Sequence, residues 1–211
     1  MKQADEALLR LRGRLSTRPR RSLKGVNEHL REAAVLLPIF LREGAAPELL
    51  FIVRQTDLPT HSGQIAFPGG KRETADPSLE HTALRESCEE VGLDPDSVEI
   101  YGLLDDVATL ERFAITPVVG LVRGEPSLVP SQHEVADIFR APIATLASTY
   151  RRGADAEWAG VSYVMPEFHF PDERAKSSEG KRLIWGATAR ITHQLLELLE
   201  LLPPLPKDRR V

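Results

Sequence analysis

Apolar positions come in short blocks along most of this chain, and the blocks have the length of strands. Residues 33–41 are apolar throughout, with Pro38 among them, and predict a buried strand. A turn at Gly44-Ala45-Ala46-Pro47 leads into residues 48–54, so the two runs predict a hairpin. Residues 63–67 stay extended into Pro68-Gly69-Gly70. Further strands are predicted at 98–107, 113–122 and 135–139, and 162–170 alternates in part. Helical spacing appears at 5–15, where Leu8, Leu9, Leu11 and Leu15 lie among arginines, and at 142–147. A longer helix is predicted over 76–91, with Asp76 as N-cap, Pro77 in the first turn and Gly92 as the stop. The last runs from Gly186-Ala187 through 195–202, where Pro203-Pro204 ends it. Many strands with few helices predict an α/β fold, a mixed sheet packed between helices.

Composition narrows this picture. With 211 residues and 42% hydrophobic content the chain can bury one sizeable core. A net charge of −4 does not suit a protein that coats nucleic acid. The run at 33–41 is too short to span a bilayer. Cys88 stands alone, so no intrachain disulfide forms, and a reducing, cytoplasmic setting is the expectation. Arg10, Arg12, Arg14, Arg18, Arg20, Arg21 and Lys24 crowd together near the start. They read either as a solvated arm or as a contact for a polyanion. The leucine-dense stretch 195–202 covers the sheet or leaves a homodimer open.

Charge carries the strongest chemical signal. Residues 85–92 read R-E-S-C-E-E-V-G. At ~100° per residue, Glu86, Glu89 and Glu90 share one side of a helix. Like charges at these spacings repel by a few tenths of a kcal/mol each. Such a cluster suits a hard divalent cation, Mg²⁺ or Mn²⁺, which prefers oxygen ligands. Arg85, four residues before Glu89, is placed to hold that carboxylate. Cys88, among carboxylates that raise a thiol pKa, reads as a small packing residue.

Residues 70–93 resemble the Nudix box, G-x5-E-x7-R-E-U-x-E-E-x-G-U, where U is a bulky aliphatic. Arg85, Glu86, Glu89, Glu90, Gly92 and Leu93 match it. Asp76 stands for the first glutamate, separated from Arg85 by eight residues rather than seven, and Ser87 replaces the first aliphatic. Upstream, LLFIVRQTDLPTHSGQIAFPGG resembles the signature of the coenzyme A diphosphatase branch, L-L-T-x-R-S-x3-R-x3-G-x3-F-P-G-G. Arg54, Gly63, Phe67, Pro68, Gly69 and Gly70 align with it, whereas Phe51, Gln55 and Leu58 depart. IWGATARI, residues 184–191, is similar to another mark of that branch.

The resemblance implies an α/β/α sandwich spanning residues 31–205, after a helix and basic arm at 1–30 and before a tail at 206–211. It implies hydrolysis of a diphosphate in coenzyme A or its derivatives, giving 4′-phosphopantetheine and adenosine 3′,5′-bisphosphate. NADH, ADP-ribose and dinucleoside polyphosphates are the alternative substrates, and a non-catalytic binding module is the alternative role. Glu86, Glu90 and Glu89 would be the metal ligands, with the Gly70 carbonyl beside them. Glu86 leads the candidates for general base, and Glu134, outside the box, is the other carboxylate considered. Asp76 has a second reading as the carboxylate that pairs with Arg85. Arg54, His61 and Gln64 lie on the approach to the glycine pair, and Arg54 and Lys71 are candidates for phosphate contact. His133 reads as polar surface. Tyr163, Phe168, Phe170 and Trp185 are candidates to stack an adenine, or else core.

Overall fold

The structure is a computed structural model that describes residues 2–24, 29–56, 63–158, 161–175, 180–205 and 209–210. Helix α1 (Lys2–Thr17) leads to strands β1 (Arg31–Phe40), β2 (Glu48–Arg54), β3 (Ile65–Ala66) and β4 (Gly69–Lys71). Helix α2 (Leu79–Val91) follows, then β5 (Val98–Leu103), β6 (Val107–Ala108), β7 (Phe113–Val122) and β8 (Val135–Pro142). The chain continues through α3 (Ile143–Thr149), β9 (Tyr150–Trp158), β10 (Val161–Pro171), β11 (Lys181–Ile184), α4 (Gly186–Leu198) and β12 (Arg209–Arg210).

Strands β1 to β8 form one mixed sheet. The expected hairpin is present only at its turn, as Ile39↔Leu49 and Phe40↔Glu48. Along its whole length β1 instead runs parallel to β7, from Arg31↔Phe113 to Phe40↔Val122. This explains why residues 33–41 read as continuously apolar, since a strand inside the sheet buries both faces. On one face Leu36, Phe40, Leu50, Ile52 and Val118 pack with Ala83 and Val91 of α2. On the other, Leu37, Ile39, Leu49, Phe51 and Phe139 pack with α1, α3 and α4. The predicted strand over 98–107 is broken after Leu103, and β6 resumes at Val107.

A second, four-stranded sheet of β9 to β12 was not foreseen. Its strands 150–158 and 181–184 are polar and charged at many positions, so no clear alternation marks them. Stacked aromatic rings link the two sheets: Phe67 to Phe51 at 4.7 Å, Phe51 to Phe139 at 5.3 Å, and Phe139 to Phe170 at 5.8 Å. Buried Arg182 of β11 adds a polar tie. It bonds Asp172 and Asp137 at 2.6 and 2.5 Å and lies over the Phe139 ring. Burial alone would raise Asp172, but the Arg174 N–H and the two guanidinium groups bring its pKa down to about 2.

The N-terminal basic stretch is no solvated arm. Arg12 pairs with Glu99, Arg14 with Glu200, Arg18 with Asp105 and Arg20 with buried Asp106. Leu8, Leu11 and Leu15 of α1 lie in the same core as β1 and α4. Residue 30 is therefore a change of element within one core. At the other end, Arg209 and Arg210 pair with β10. Helix α4 ends at Leu198, short of the predicted Leu202, and Leu195, Leu196 and Leu199 are buried within this chain. No described helix is long and apolar enough to cross a membrane.

Candidate active site

Helix α2 carries the carboxylates, and its start differs from the expected one. Ser78, not Asp76, is the N-cap, with its hydroxyl accepting the His81 N–H. Gly92 closes the helix as expected, in the left-handed region at φ 68. Asp76 is freed for its other reading. It is 3% exposed, and its two oxygens take Arg85 Nε and Nη2 at 3.1 and 3.2 Å. Thr82 Oγ1 and the Glu73 N–H, each at 2.9 Å, and the His81 ring Nδ1 at 3.1 Å add to its shell. The Arg85 guanidinium, followed by these bonds, holds the Asp76 carboxyl well below the usual carboxylate range despite burial.

Arg85 does more than brace Glu89. The same guanidinium reaches Glu89 and Glu86 at 3.0 Å each and donates to the Lys71 carbonyl at 3.2 Å. One planar fork thus joins the turn at 71–76 to two carboxylates of the helix. Glu89 is the exposed member of the set, Glu86 is partly buried, and Glu90 is 2% exposed.

The glycine pair seats the two inner carboxylates. Glu90 Oε2 accepts the Gly69 N–H at 2.9 Å. A Cβ on Gly70 would stand 2.5 Å from the Glu86 carboxyl. On Gly69, at φ 152, it would stand 2.4 Å from the Ala34 carbonyl oxygen. The two glycines should therefore fail differently. In Gly70→Ala the atoms nearest the new Cβ are the end of a movable side chain, so it should fold near wild-type stability, displace the Glu86 carboxylate and lower turnover at least about tenfold. Gly69→Ala meets backbone and should destabilise strongly. Thermal melts and rates on both variants check this, and equal melting losses would contradict it.

Burial raises the Glu90 pKa to about 8, against the Gly69 N–H and the positive charge of Arg54. Burial likewise raises Glu86, opposed by Arg85, and the charges of Glu89 and Glu134 push the same way. Glu134 acts on both Glu86 and Glu90, so it belongs to their neighbourhood although it comes from the turn before β8. Arg54 ends β2 with Nη1 3.7 Å from Glu90 Oε1, and among the described residues its buried Nε has no partner. Gln64 lies alongside, its carbonyl accepting the Arg54 N–H at 2.9 Å.

Other expectations fare differently. Lys71 pairs with Ala33 in the ladder, on the sheet face away from α2, and its ammonium lies 5.8 Å from the Phe113 ring. The structure thus does not bring it into the carboxylate cluster. Cys88 is exposed, not packed. Phe168 and Phe170 are core, whereas Trp185 is 48% exposed. His133 is exposed, as expected. His61 and Leu58, and the side chain of Tyr163, lie outside the described residues. Sequence reasoning missed the Ser78 cap and the reach of Arg85 to Glu86. A serine three residues before His81 was the available signal for the first.

Among the described residues no three His, Cys, Asp or Glu side chains are drawn into a ready cation cage. The donor set nonetheless fits a divalent cation. It offers only oxygen, from the three carboxylates and the candidate Gly70 carbonyl, and the buried Glu90 carboxylate has the Arg54 guanidinium at 3.7 Å, beyond hydrogen-bond distance.

Residues 30–182 match the NUDIX domain model. The chain belongs to the Nudix family. As a Nudix hydrolase it acts on diphosphate bonds. Its relatives include the uncharacterized Nudix hydrolase NudL of Pectobacterium atrosepticum, 36% identical over 82% of this chain and 85% of that one. The mitochondrial coenzyme A diphosphatase NUDT8 of Homo sapiens is 37% identical over 86% of this chain and 77% of that protein. Among solved structures, the Nudix hydrolase RenU of M. smegmatis superposes with a TM-score of 0.54 at 18% identity, covering 84% of this chain and 90% of that one. The likeness to RenU is one of fold, the expected Nudix α/β architecture.

Proposed function

We propose that this Nudix hydrolase cleaves the diphosphate of coenzyme A or its derivatives, giving 4′-phosphopantetheine and adenosine 3′,5′-bisphosphate. The observation that carries the hydrolytic part is the seating of Glu86 and Glu90 beneath Gly69-Gly70, with Arg54 beside Glu90. Support for the substrate comes from the human coenzyme A diphosphatase relative and from Arg54, Phe67, Pro68, Gly69 and Gly70 of the branch signature.

Glu86, Glu90 and Glu89, with the Gly70 carbonyl, would hold Mg²⁺ or Mn²⁺. When bound, the cation neutralises and orients the diphosphate oxygens. Arg85 keeps Glu86 and Glu89 in position. A carboxylate of the cluster, Glu86 or Glu134, takes a proton from water as its oxygen bonds to phosphorus. The bridging P–O bond then breaks, and its electrons leave with the departing phosphate. Arg54 presents a guanidinium whose buried Nε has no partner among the described residues, which suits a substrate phosphate. Its neighbour Gln64 lines the same approach. A reducing compartment, for which we take the cytoplasm, suits exposed Cys88.

Product analysis across coenzyme A, dephospho-coenzyme A, NADH, ADP-ribose and a dinucleoside tetraphosphate tests this reading. The highest kcat/KM is expected on coenzyme A, with adenosine 3′,5′-bisphosphate as product. Faster turnover of NADH, ADP-ribose or the dinucleoside would overturn the substrate.

A further inference from the structure

Gln55 stands where the branch signature has serine, immediately after Arg54. Its bonds go to the turn that carries Glu134. The Gln55 N–H donates to the Glu134 carbonyl at 2.9 Å, and its side-chain Nε2 donates to the Gln132 carbonyl at 2.9 Å. The same Nε2 is 3.5 Å from the Val135 carbonyl oxygen.

The other side of this turn is tied to the carboxylate helix. The Ser131 N–H donates to the carbonyl of Glu90 itself at 2.8 Å, and the Val129 N–H to Val91 at 3.0 Å. Within the turn, the Glu134 and Val135 N–H groups both close onto the Ser131 carbonyl. Residues 131–135 are therefore held between the end of α2 and the end of β2. Any main chain at position 55 supplies one of the β2 bonds. The bond to Gln132 is made by Nε2, three bonds beyond Cβ, whereas a serine hydroxyl ends one bond beyond it.

We propose that Gln55 is a positioning residue, whose side-chain amide holds the Glu134 turn against the carboxylate helix and so acts in hydrolysis through Glu134. This rests on the reading of Glu134 as a carboxylate of the reaction.

A double-mutant cycle with amide hydrogen exchange tests it, using Gln55→Ala, Gln55→Ser, Glu134→Gln and the pair Gln55→Ala/Glu134→Gln. Gln55→Ala and Gln55→Ser should each lower kcat on coenzyme A about tenfold, with KM within about twofold, since one hydrogen bond is involved. Exchange at residues 131–135 should quicken by about the same factor while the rest of the chain keeps its protection. In the Glu134→Gln background, Gln55→Ala should lower kcat no further. An equal fractional loss in both backgrounds would show that Gln55 does not act through Glu134 and would overturn the proposal. Unchanged exchange at 131–135 would do the same. Full kcat in Glu134→Gln would remove Glu134 from the reaction, and the proposal with it, while leaving the diphosphate hydrolase reading intact.

Discussion

Arg85→Ala is expected to destabilise the fold by about 3–5 kcal/mol, the usual loss when one partner of a buried ion pair is removed. The side chain of Asp76 is 1% exposed and that of Arg85 19%, so water screens little of their attraction. Removing the guanidinium leaves the Asp76 charge buried and also releases Glu86, Glu89 and the Lys71 carbonyl. Arg85→Lys should recover only part of the loss, because an ammonium cannot reproduce the fork. Asp76→Asn in the Arg85→Ala background should recover more, since no charge is then left buried. The pH dependence gives a second readout. The folded-state pKa of Asp76 is depressed below its ordinary 3.8, so its contribution is present above that value and is lost as pH falls further. Wild-type protein should lose this stability in acid, and Arg85→Ala should show a flatter acid limb. Urea unfolding between pH 2.5 and pH 7, over roughly that window, measures both. A loss under about 1 kcal/mol, typical of exposed pairs, would contradict the structural role.

Glu90→Gln should act in opposite directions on stability and activity. The Glu90 pKa is raised from 4.5 to about 8, so its protonated form suits the fold better than its ionised form. Without metal, the folded protein keeps that stability below the unfolded value and loses it as pH rises through about 8. The loss amounts to a few kcal/mol. Glutamine is neutral at every pH and can still accept the Gly69 N–H. Metal-free Glu90→Gln should therefore match wild type near pH 5 and exceed it near pH 9, outside roughly the span of the shift. Urea unfolding in chelator measures the gap, and equal stability at the higher pH would contradict the buried-charge account.

Much of this arrangement was legible in the chain because it rests on local spacing. The i, i+3 and i+4 carboxylates, the Gly92 stop and the Gly69-Gly70 pair need only a helix and a turn to be read. Asp76 shows where local reasoning stops. Before a proline it looks like a cap, yet tertiary pairing with Arg85 claims it and leaves capping to Ser78. Lys71 shows the same for a strand. Neighbouring residues point to opposite faces, so Gly70 lies under Glu86 while Lys71 turns away. The parallel pairing of β1 with β7 joins segments some eighty residues apart, which hydrophobic pattern alone cannot register. The tie between Gln55 and the Glu134 turn is likewise long-range and runs largely through main-chain carbonyls, whose partners a sequence does not display.

The most direct measurement is the rate of coenzyme A hydrolysis by wild type and by folded Glu90→Gln, each in Mg²⁺, in Mn²⁺ and in chelator. Wild type should turn over with either cation and stop in chelator. Glu90→Gln should be slower by about 10²–10⁴ with both cations, as expected when several kcal/mol of charge stabilisation is lost. Hydrolysis by wild type that persists in chelator, or a Glu90→Gln rate within about threefold of wild type, a barrier change below 1 kcal/mol, would contradict a cation-dependent centre built on this carboxylate.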